Sequence, residues 1–451
     1  MPSRPCIILY NPISNEGHLD SWHALFVEAF LTAGWAVIAM TSDLSALKKQ
    51  LGQKGLEGHP ALSLRSTTGE KTANSTHAGT PVNLLRNTAK RLEAFLPFNL
   101  GQLLRQAKGL LQSQDQRERA ALATKYLNPQ LFCEQVNEVL KQQPKQVSAV
   151  FNMYVDAYMP IPSAWQNFAL ASSTPWASLS ITPSALEEAN EASTLPPYYS
   201  LQGYRGTCFL DESLLKRYQV QWPDKQFEYL PDITGTSLPA QRSALAQSIK
   251  QLAAGRMIVF MGGSIGKQKN LVQWLGLVQR ADSSKWFFVQ IGRLNINNLT
   301  SEDKKALEHI KAATPTNLFI QETYVADESV FNEIITLADV IFAVYKDFYR
   351  SSNMLSKAAY FEKPILVAEQ CLMGERVARY GIGLAVAPNN SEAIHQALVA
   401  APQLPKLSEN FAAYRKDFNQ QALQNKLISF VQACLLKESS TPLLPSSTSP
   451  S

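Results

Sequence analysis

The stretch Ala338–Glu369, ADVIFAVYKDFYRSSNMLSKAAYFEKPILVAE, decides the fold of this chain. Val340–Val344 is a short, mostly β-branched apolar run, which is typical of a buried strand. The polar residues Ser351-Ser352-Asn353 can cap a helix over Met354–Phe361, which a Lys-Pro pair ends. Ile365–Ala368 predicts a second buried strand. The pattern predicts a βαβ unit whose polar turn favours phosphate binding, with an ordinary capped helix as the alternative.

The same stretch resembles the donor-nucleotide segment of GT-B glycosyltransferases, specifically the retaining glycosyltransferase family 4. In that family a strand ending in ADV leads to a Ser/Gly-rich turn, a helix and a strand that begins with Gly-Lys-Pro. Here Ala338-Asp339-Val340, Ser351-Ser352-Asn353 and Lys363–Val367 stand at those places. The resemblance implies a nucleotide-sugar donor, with Ser351, Ser352 and Asn353 among the donor-binding residues.

The Glu-x7-Glu pair of that family is absent from this chain. Aligned on Pro364, its two positions are Tyr349 and Lys357, and the usual Gly before the Lys-Pro pair is Glu362. In the family the second glutamate holds the donor ribose. Two hypotheses follow: a transferase that holds its donor differently, and a non-catalytic GT-B-like scaffold or regulatory protein.

Composition places the chain among ordinary globular proteins. Its 451 residues suffice for two or three domains, and no apolar run approaches the roughly 18 residues that span a membrane. The N-terminal sequence has no secretory-signal pattern. Five scattered cysteines and six histidines without ligand-like spacing predict neither disulfides nor a metal site, as in a reducing cytoplasm. We therefore expect a cytoplasmic location, no metal, and no cofactor apart from the nucleotide-sugar substrate.

One segment concentrates the positive charge. Residues 81–126 contain eight basic and three acidic side chains, an excess equal to the net +5 of the whole chain. A basic helical segment can contact anionic lipid at the inner face of the membrane or an acidic substrate, while a solvated helix face is the alternative. Because it lacks interleaved aromatic side chains, we expect no nucleic-acid partner.

The first half opens like a Rossmann-like domain. Cys6–Tyr10 and Trp35–Met40 predict strands on either side of a helix at Trp22–Ala33. Gly17, in the loop before that helix, allows the backbone to pass close to a ligand. The adjacent His18 could bond a diphosphate or an acceptor hydroxyl, or have no role. The resemblance places this loop at the inter-domain cleft.

A helical insertion is predicted at about 44–145. Within it, His59–Pro81 is polar and predicts an exposed loop, and Val82–Lys141 is helical by composition and spacing. The resemblance implies that such an insertion contributes to acceptor specificity.

Asp156 follows the predicted strand Val147–Tyr154, at the end where ligands of open α/β sheets bind. We hypothesise that its carboxylate orients an acceptor hydroxyl or acts as a base, with a capping aspartate as the alternative. Further strands are predicted at Trp176–Ile181, Cys208–Leu210 and Phe227–Pro231.

The second half contains a Gly-rich loop between the predicted strand Met257–Met261 and a helix at Leu271–Gln279. The resembled family has G-R-L-x-x-x-K-G here. Gly263 and Lys269 match that pattern, while Ser264 replaces the arginine. The resemblance implies that these three residues bind the donor diphosphate, which the Lys269 ammonium neutralises without a metal.

Two more donor-binding residues follow from position. Arg293 comes just after the predicted strand Trp286–Ile291 and can replace the missing arginine. Tyr324 ends the stretch Asn317–Tyr324, where the resembled family contacts the donor base. Asn410–Leu436 predicts one long terminal helix.

The expected fold is α/β GT-B: two Rossmann-like domains with parallel sheets that face a cleft, and a helical insertion in the first. The predicted segments are an acceptor domain at 1–232, a donor domain at 244–405, a helix at 406–437 that braces the first domain, and a disordered tail at 438–451. The predicted reaction moves a sugar onto a hydroxyl of a glycan or lipid-linked acceptor, with Asp156 and His18 as catalytic residues. An epimerase or a phosphorylase is a second alternative.

Overall fold

The computed structural model describes residues 4–14, 19–67, 126–143, 147–182, 197–325, 327–405 and 407–436. The chain divides into two compact units. The first comprises Met1–Phe209, Leu214–Glu228 and Leu427–Ser451, and the second comprises Leu210–Ser213 and Tyr229–Lys426.

The first unit contains a sheet built on β1, a wholly buried and mostly apolar strand. Its strands are β1 (Cys6–Asn11), β2 (Ala36–Thr41), β3 (Leu62–Ser66), β4 (Val147–Asn152), β5 (Trp176–Ser180), β6 (Tyr204–Phe209) and β7 (Gln226–Tyr229). Among the described residues these seven strands have the order β3-β2-β1-β4-β5-β6-β7, and the pairs from β3 to β6 are parallel. Its α-helices are α1 (Leu19–Thr32), α2 (Leu44–Gln53), α3 (Pro129–Gln142), α4 (Pro162–Trp165) and α5 (Leu214–Gln221).

Aromatic side chains fill much of the first core. Trp165 and Trp176 are stacked with ring centroids 6.3 Å apart, and Phe132 packs edge-on against Trp176. The last helix also contributes to this unit, because the Phe430 ring packs against Phe151 of β4. Large rings bury much apolar area, which stabilises the sheet.

The second unit contains a second parallel sheet. Its strands are β8 (Met257–Gly262), β9 (Trp286–Ile291), β10 (Leu318–Gln321), β11 (Val340–Ala343), β12 (Ile365–Ala368) and β13 (Gly383–Val386). Its helices are α6 (Ala244–Ala253), α7 (Leu271–Arg280), α8 (Ser301–Ala313), α9 (Glu328–Leu337), α10 (Asn353–Tyr360), α11 (Leu372–Tyr380), α12 (Ser391–Ala400) and α13 (Leu407–Asp417), followed by α14 (Gln420–Leu436), which ends in the first unit.

Within the described residues the second sheet has the order β10-β9-β8-β11-β12-β13, with parallel pairing throughout. This is the order of dinucleotide-binding sheets. Because the connections turn in opposite directions from β8 and β11, the loops after these two neighbouring strands flank a crevice at the carboxyl edge, where open α/β sheets bind ligands.

The structure confirms the βαβ unit predicted at Ala338–Glu369, with β11, α10 and β12 within one residue of their predicted bounds. The predicted loop at His59–Pro81 is wrong at Leu62–Ser66, which is β3 and pairs with β2. Its side chains are half-buried or exposed, and three of its five residues are polar, so its apolar content is low. The rest of that loop, most of Val82–Lys141 and the predicted tail lie outside the described residues.

The predicted single helix at Asn410–Leu436 is also wrong, because α13 and α14 are separate helices. Asn419 lies between them. Its amide donates to the carbonyls of Arg415 and Lys416 at 2.9 and 2.8 Å, and its Oδ1 accepts from the Ala422 N–H at 2.8 Å. One side chain therefore caps the end of one helix and the start of the next.

Candidate functional site

Two glycines lie in the loops that follow β8 and β9. Gly263 has φ +97° and Gly292, after β9, has φ +146°. A Cβ atom on Gly292 would lie 1.8 Å from the Gly263 carbonyl oxygen, so a side chain cannot fit there. Beyond them, the Ile265 N–H donates to the Arg293 carbonyl at 2.9 Å. The glycines thus allow the loops after β8 and β9 to approach closely.

The ammonium group of Lys269 lies at the carboxyl end of β8. Its Nζ donates to the Gly262 carbonyl at 3.0 Å and to the Tyr345 hydroxyl at 2.7 Å, and lies 4.1 Å from the centre of the Tyr345 ring. Tyr345, just after β11, is 5% exposed. An ammonium has three N–H groups, so a third donor is not used by these two bonds. The geometry presents a fixed, half-buried positive charge at the edge of the sheet.

Asn270 ties the loops after β8 and β11 together. It is buried in a left-handed conformation with φ 56°, and its Nδ2 donates to the carbonyls of Val344 at 3.1 Å and Pro388 at 2.8 Å. The Lys346 N–H also donates to the Gln268 carbonyl at 2.9 Å. These bonds hold the backbone around Lys269 in place.

Ser351 is fixed by a buried arginine. The guanidinium of Arg376 is fully buried and donates from Nη1 to Ser351 Oγ at 2.6 Å. The Glu212 carboxylate accepts from Nη2 at 2.6 Å. Burial would raise the pKa of Glu212, but Arg376 outweighs it and holds that pKa below its ordinary value. Because the Ser351 oxygen accepts from Arg376, its own hydroxyl proton can be donated to a ligand.

Ser352 and Asn353 begin α10 as predicted. The Ser352 hydroxyl accepts from the Met354 N–H at 3.4 Å, and Asn353 is half-buried in the first turn. Their helix N-terminus lies at the same carboxyl edge as Lys269, and the partial positive charge of such an end favours an anion.

Lys357 occupies the second glutamate position of the resembled family and is 2% exposed. Its Nζ donates to Glu328 Oε1 at 2.9 Å, to Asn332 Oδ1 at 2.6 Å and to the Gly235 carbonyl at 3.3 Å. Burial lowers the pKa of Lys357, against the opposing effect of the Glu328 carboxylate. Three acceptors use the three ammonium N–H groups, so this side chain has no N–H group left for a ligand.

Three other predicted residues are exposed at the same edge. Ser264, Arg293 and Tyr324 follow β8, β9 and β10, and the Tyr324 side chain is 74% exposed. The sheet order brings these loops to one side of the molecule, without a direct contact of their side chains with Lys269.

The structure places Asp156 in the first unit, after β4. Its Oδ1 accepts from the Ser180 hydroxyl at 2.7 Å, and its Oδ2 accepts from the N–H groups of Ile181 and Thr182 at 2.7 and 2.9 Å. This carboxylate holds the loop after β5, a structural task that the sequence did not reveal. Gly17 and His18 lie outside the described residues.

No protein-family model matches the chain, and no curated protein matches it in sequence. Solved structures do. A glycosyltransferase from Rickettsia africae is 12% identical, with a TM-score of 0.54 over 97% of this chain and 100% of that one. An α,α-trehalose-phosphate synthase (UDP-forming) from Burkholderia vietnamiensis is 12% identical, with a TM-score of 0.58 over 96% and 99%. Sucrose-phosphate synthase from Thermosynechococcus elongatus is 13% identical, with a TM-score of 0.55 over 96% and 99%.

This chain has the GT-B fold. The expected fold class is thereby confirmed. Identities of 12–13% establish the shared fold alone. In the described part of this GT-B chain, no three His, Cys, Asp or Glu side chains are grouped to hold a metal ion. Likewise, none of the helices with described residues is long and apolar enough to cross a bilayer.

Sequence reasoning missed Tyr345, Glu328 and Arg376 in this GT-B chain. An aromatic residue directly after a buried strand was a usable signal for Tyr345, since strand ends form the ligand edge. Glu328 and Arg376 had no local signal, because their partners lie 29 and 164 residues away in sequence.

Proposed function

We propose that the chain is a glycosyltransferase that moves a sugar from a nucleotide-sugar donor to a hydroxyl of a glycan or lipid-linked acceptor. The reaction retains anomeric configuration and needs neither a metal nor another cofactor. The observation that carries this proposal is the Lys269 ammonium, which Tyr345 fixes near Gly263, at the carboxyl edge of a parallel sheet with the strand order of dinucleotide-binding folds.

In this reaction the bond from the anomeric carbon to the diphosphate oxygen breaks, and a bond to the acceptor oxygen forms. Negative charge grows on the departing diphosphate, and Lys269 stabilises it where it develops. The first turn of α10 and the Ser351 hydroxyl supply further donors for the phosphate oxygens. Arg293 supplies a second cation from the loop after β9. The acceptor hydroxyl gives its proton to the departing diphosphate oxygen, so the products are the glycosylated acceptor and the nucleoside diphosphate.

The similar structures support a nucleotide donor. Two of them are a sucrose-phosphate synthase and a UDP-forming α,α-trehalose-phosphate synthase. Uridine nucleotides are therefore the first to test, ahead of guanosine and adenosine nucleotides.

A non-catalytic GT-B-like scaffold or regulatory protein is the second candidate. Two observations favour it: Lys357 stands where the resembled family has a glutamate, and the Asp156 carboxylate is engaged by three donors of its own unit. Such a protein would keep the fold and lack turnover.

We further propose a cytoplasmic location, with the basic segment 81–126 as the contact to anionic lipid at the inner membrane face. None of the five cysteines, all of which the structure describes, forms a disulfide, and all five are buried, as expected in a reducing compartment. The basic residues of that segment lie outside the described residues.

Thermal shift with UDP, GDP, ADP and their sugars, without added metal, tests the donor site. A nucleotide that binds the folded state raises the melting temperature by mass action. We expect one base to give a shift that Lys269→Ala abolishes, while Lys305→Ala on the exposed face of α8 keeps it. Release of free nucleoside diphosphate from the matching sugar, with candidate acceptors, then measures transfer. No shift with any nucleotide would favour the scaffold.

A further inference from the structure

Glu328 is the first residue of α9, so it lies at the carboxyl edge of the second sheet, after the loop that follows β10. Its side chain is 41% exposed. Its Oε2 lies against the backbone of Gly235, where an added Cβ atom would come within 2.7 Å of this oxygen. A glycine at 235 thus leaves space for the carboxylate.

A rigid network holds this carboxylate from below. Lys357, buried on α10, donates to Glu328 Oε1 at 2.9 Å. Asn332, one turn further along α9, accepts from Lys357 at 2.6 Å and donates to the carbonyls of Gly235 and Ser237 at 3.1 and 3.0 Å. The network fixes the position of the Glu328 carboxylate, because the buried ammonium of Lys357 is paired with it.

An ionised carboxylate offers about four lone pairs, and Lys357 uses one of them. The vicinal hydroxyls of a ribose are two adjacent O–H donors, and one carboxylate can accept a hydrogen bond from each of them. In sheets of this strand order, an acidic side chain at the carboxyl edge commonly accepts from ribose hydroxyls. The half-exposed Glu328 has the required chemistry, whereas Lys357 has its three N–H groups engaged.

We propose that Glu328 accepts hydrogen bonds from the ribose hydroxyls of the nucleotide donor, and that Lys357 is its positioning residue. This proposal rests on the proposed nucleotide-sugar site. The carboxylate that binds the ribose then belongs to Glu328 on α9, and Lys357 on α10 holds it in place.

Calorimetric titration of the full chain with UDP, GDP and ADP first identifies the nucleoside diphosphate that binds. Its affinity is then compared with those of its 2′-deoxy and 3′-deoxy forms. Because hydrogen bonds to charged groups are strong, we expect about a tenfold or larger preference for the ribose form. Glu328→Gln should remove most of this preference and leave the affinity for the deoxy forms within about twofold.

Two further variants secure the assignment. Glu328→Gln combined with Lys357→Met leaves no buried unpaired ammonium, so it keeps the test valid if the single variant fails to fold. Lys357→Met alone should reduce the ribose preference without changing the affinity for the deoxy forms, which a merely structural lysine would not do. Glu369→Gln, an exposed carboxylate after β12, is the matched control and should keep the preference.

An unchanged ribose preference in Glu328→Gln would overturn the assignment, as would its loss in Glu369→Gln instead. If the unaltered chain binds none of the three nucleotides, the proposed function itself fails and this inference falls with it. Nucleotide binding without any preference for the ribose form would overturn the assignment of Glu328 and leave the proposed function standing.

Discussion

The Nζ of Lys269 lies 2.7 Å from the hydroxyl oxygen of Tyr345 and 4.1 Å from the centre of its ring. The same aromatic side chain therefore contacts the cation through both its hydroxyl and its π face. Tyr345 is buried against the end of β11, so the ammonium is held before any ligand arrives. Preorganised charge of this kind is how protein sites stabilise developing negative charge.

Replacing Tyr345 should weaken nucleoside diphosphate binding in two steps. Tyr345→Phe keeps the ring and loses the hydroxyl, so we expect an affinity loss of about two- to fivefold. Tyr345→Ala also loses the cation–π contact and should cost about tenfold or more. Calorimetric titration measures both. Tighter binding by Tyr345→Phe would instead show that the hydroxyl competes with the ligand for Lys269.

Asn270 combines a left-handed backbone with two buried hydrogen bonds, and two variants separate these contributions. Asn270→Ala leaves two carbonyls unpaired and strains the backbone, so we expect a loss of about 2–4 kcal/mol in the free energy of unfolding. Asn270→Gly removes the same bonds but accepts φ 56° easily, and should cost about 1 kcal/mol less. Urea denaturation measures both. Equal losses would show that backbone strain contributes nothing.

Asp156→Asn should destabilise the first unit. The variant removes the negative charge and places an NH₂ group at one of the two oxygen positions that accept from Ser180, Ile181 and Thr182. These charge-assisted bonds are therefore weakened, and the Ser180 hydroxyl must turn round to accept from the new NH₂ group. We expect a loss of about 1–3 kcal/mol by thermal or urea denaturation, with Ser180→Ala losing less. Activity per folded molecule should persist. Full stability with abolished transfer would instead support the catalytic role predicted from sequence.

His23 should make the chain sensitive to mild acid. It is fully buried on α1, and burial lowers its pKa from 6.5 to about 3. Below pH 6.5 the His23 imidazole binds a proton in the unfolded chain but not in the folded chain. The free energy of unfolding is therefore greatest above pH 6.5 and falls as the pH drops toward 3. Each pH unit costs about 1.4 kcal/mol, or about 2 kcal/mol between pH 6.5 and 5.

His23→Leu should flatten that dependence in urea denaturation at a series of pH values. His309 on α8 is exposed, so His309→Leu is the matched control and should leave the slope unchanged. An equal slope in the chain with Leu at 23 would assign the acid sensitivity to other groups.

The apolar runs predicted the strands because buried parallel strands are nearly continuous in Val, Ile, Leu and Phe. The strand at Leu62–Ser66 was not predicted, because β3 is an edge strand whose side chains are half-buried or exposed. Its local composition is therefore that of a loop. Sequence spacing also placed Lys269, Ser351, Ser352 and Asn353 at one edge, because strand ends in a parallel sheet share that edge.

Side-chain partners could not be predicted in the same way. A lysine on a helix is usually solvated, yet Lys357 is buried because Glu328 and Asn332, 29 and 25 residues earlier, reach it. The alignment with the resembled family on Pro364 predicted the backbone conformation better than it predicted the side-chain contacts. Glu362 adopts φ 54° at the position where the resembled family has glycine, and its carboxylate accepts from Arg415 at 2.9 Å.

The close approach of Gly292 to Gly263 has an evolutionary consequence. Any descendant that keeps this fold must keep position 292 free of a side chain, whether or not it still turns over a substrate. Lys269 and Tyr345 are under no such steric obligation. Among relatives of this chain, we therefore expect glycine at position 292 even in proteins that no longer catalyse a reaction. Substitutions at positions 269 and 345 should mark the relatives that no longer bind a donor nucleotide.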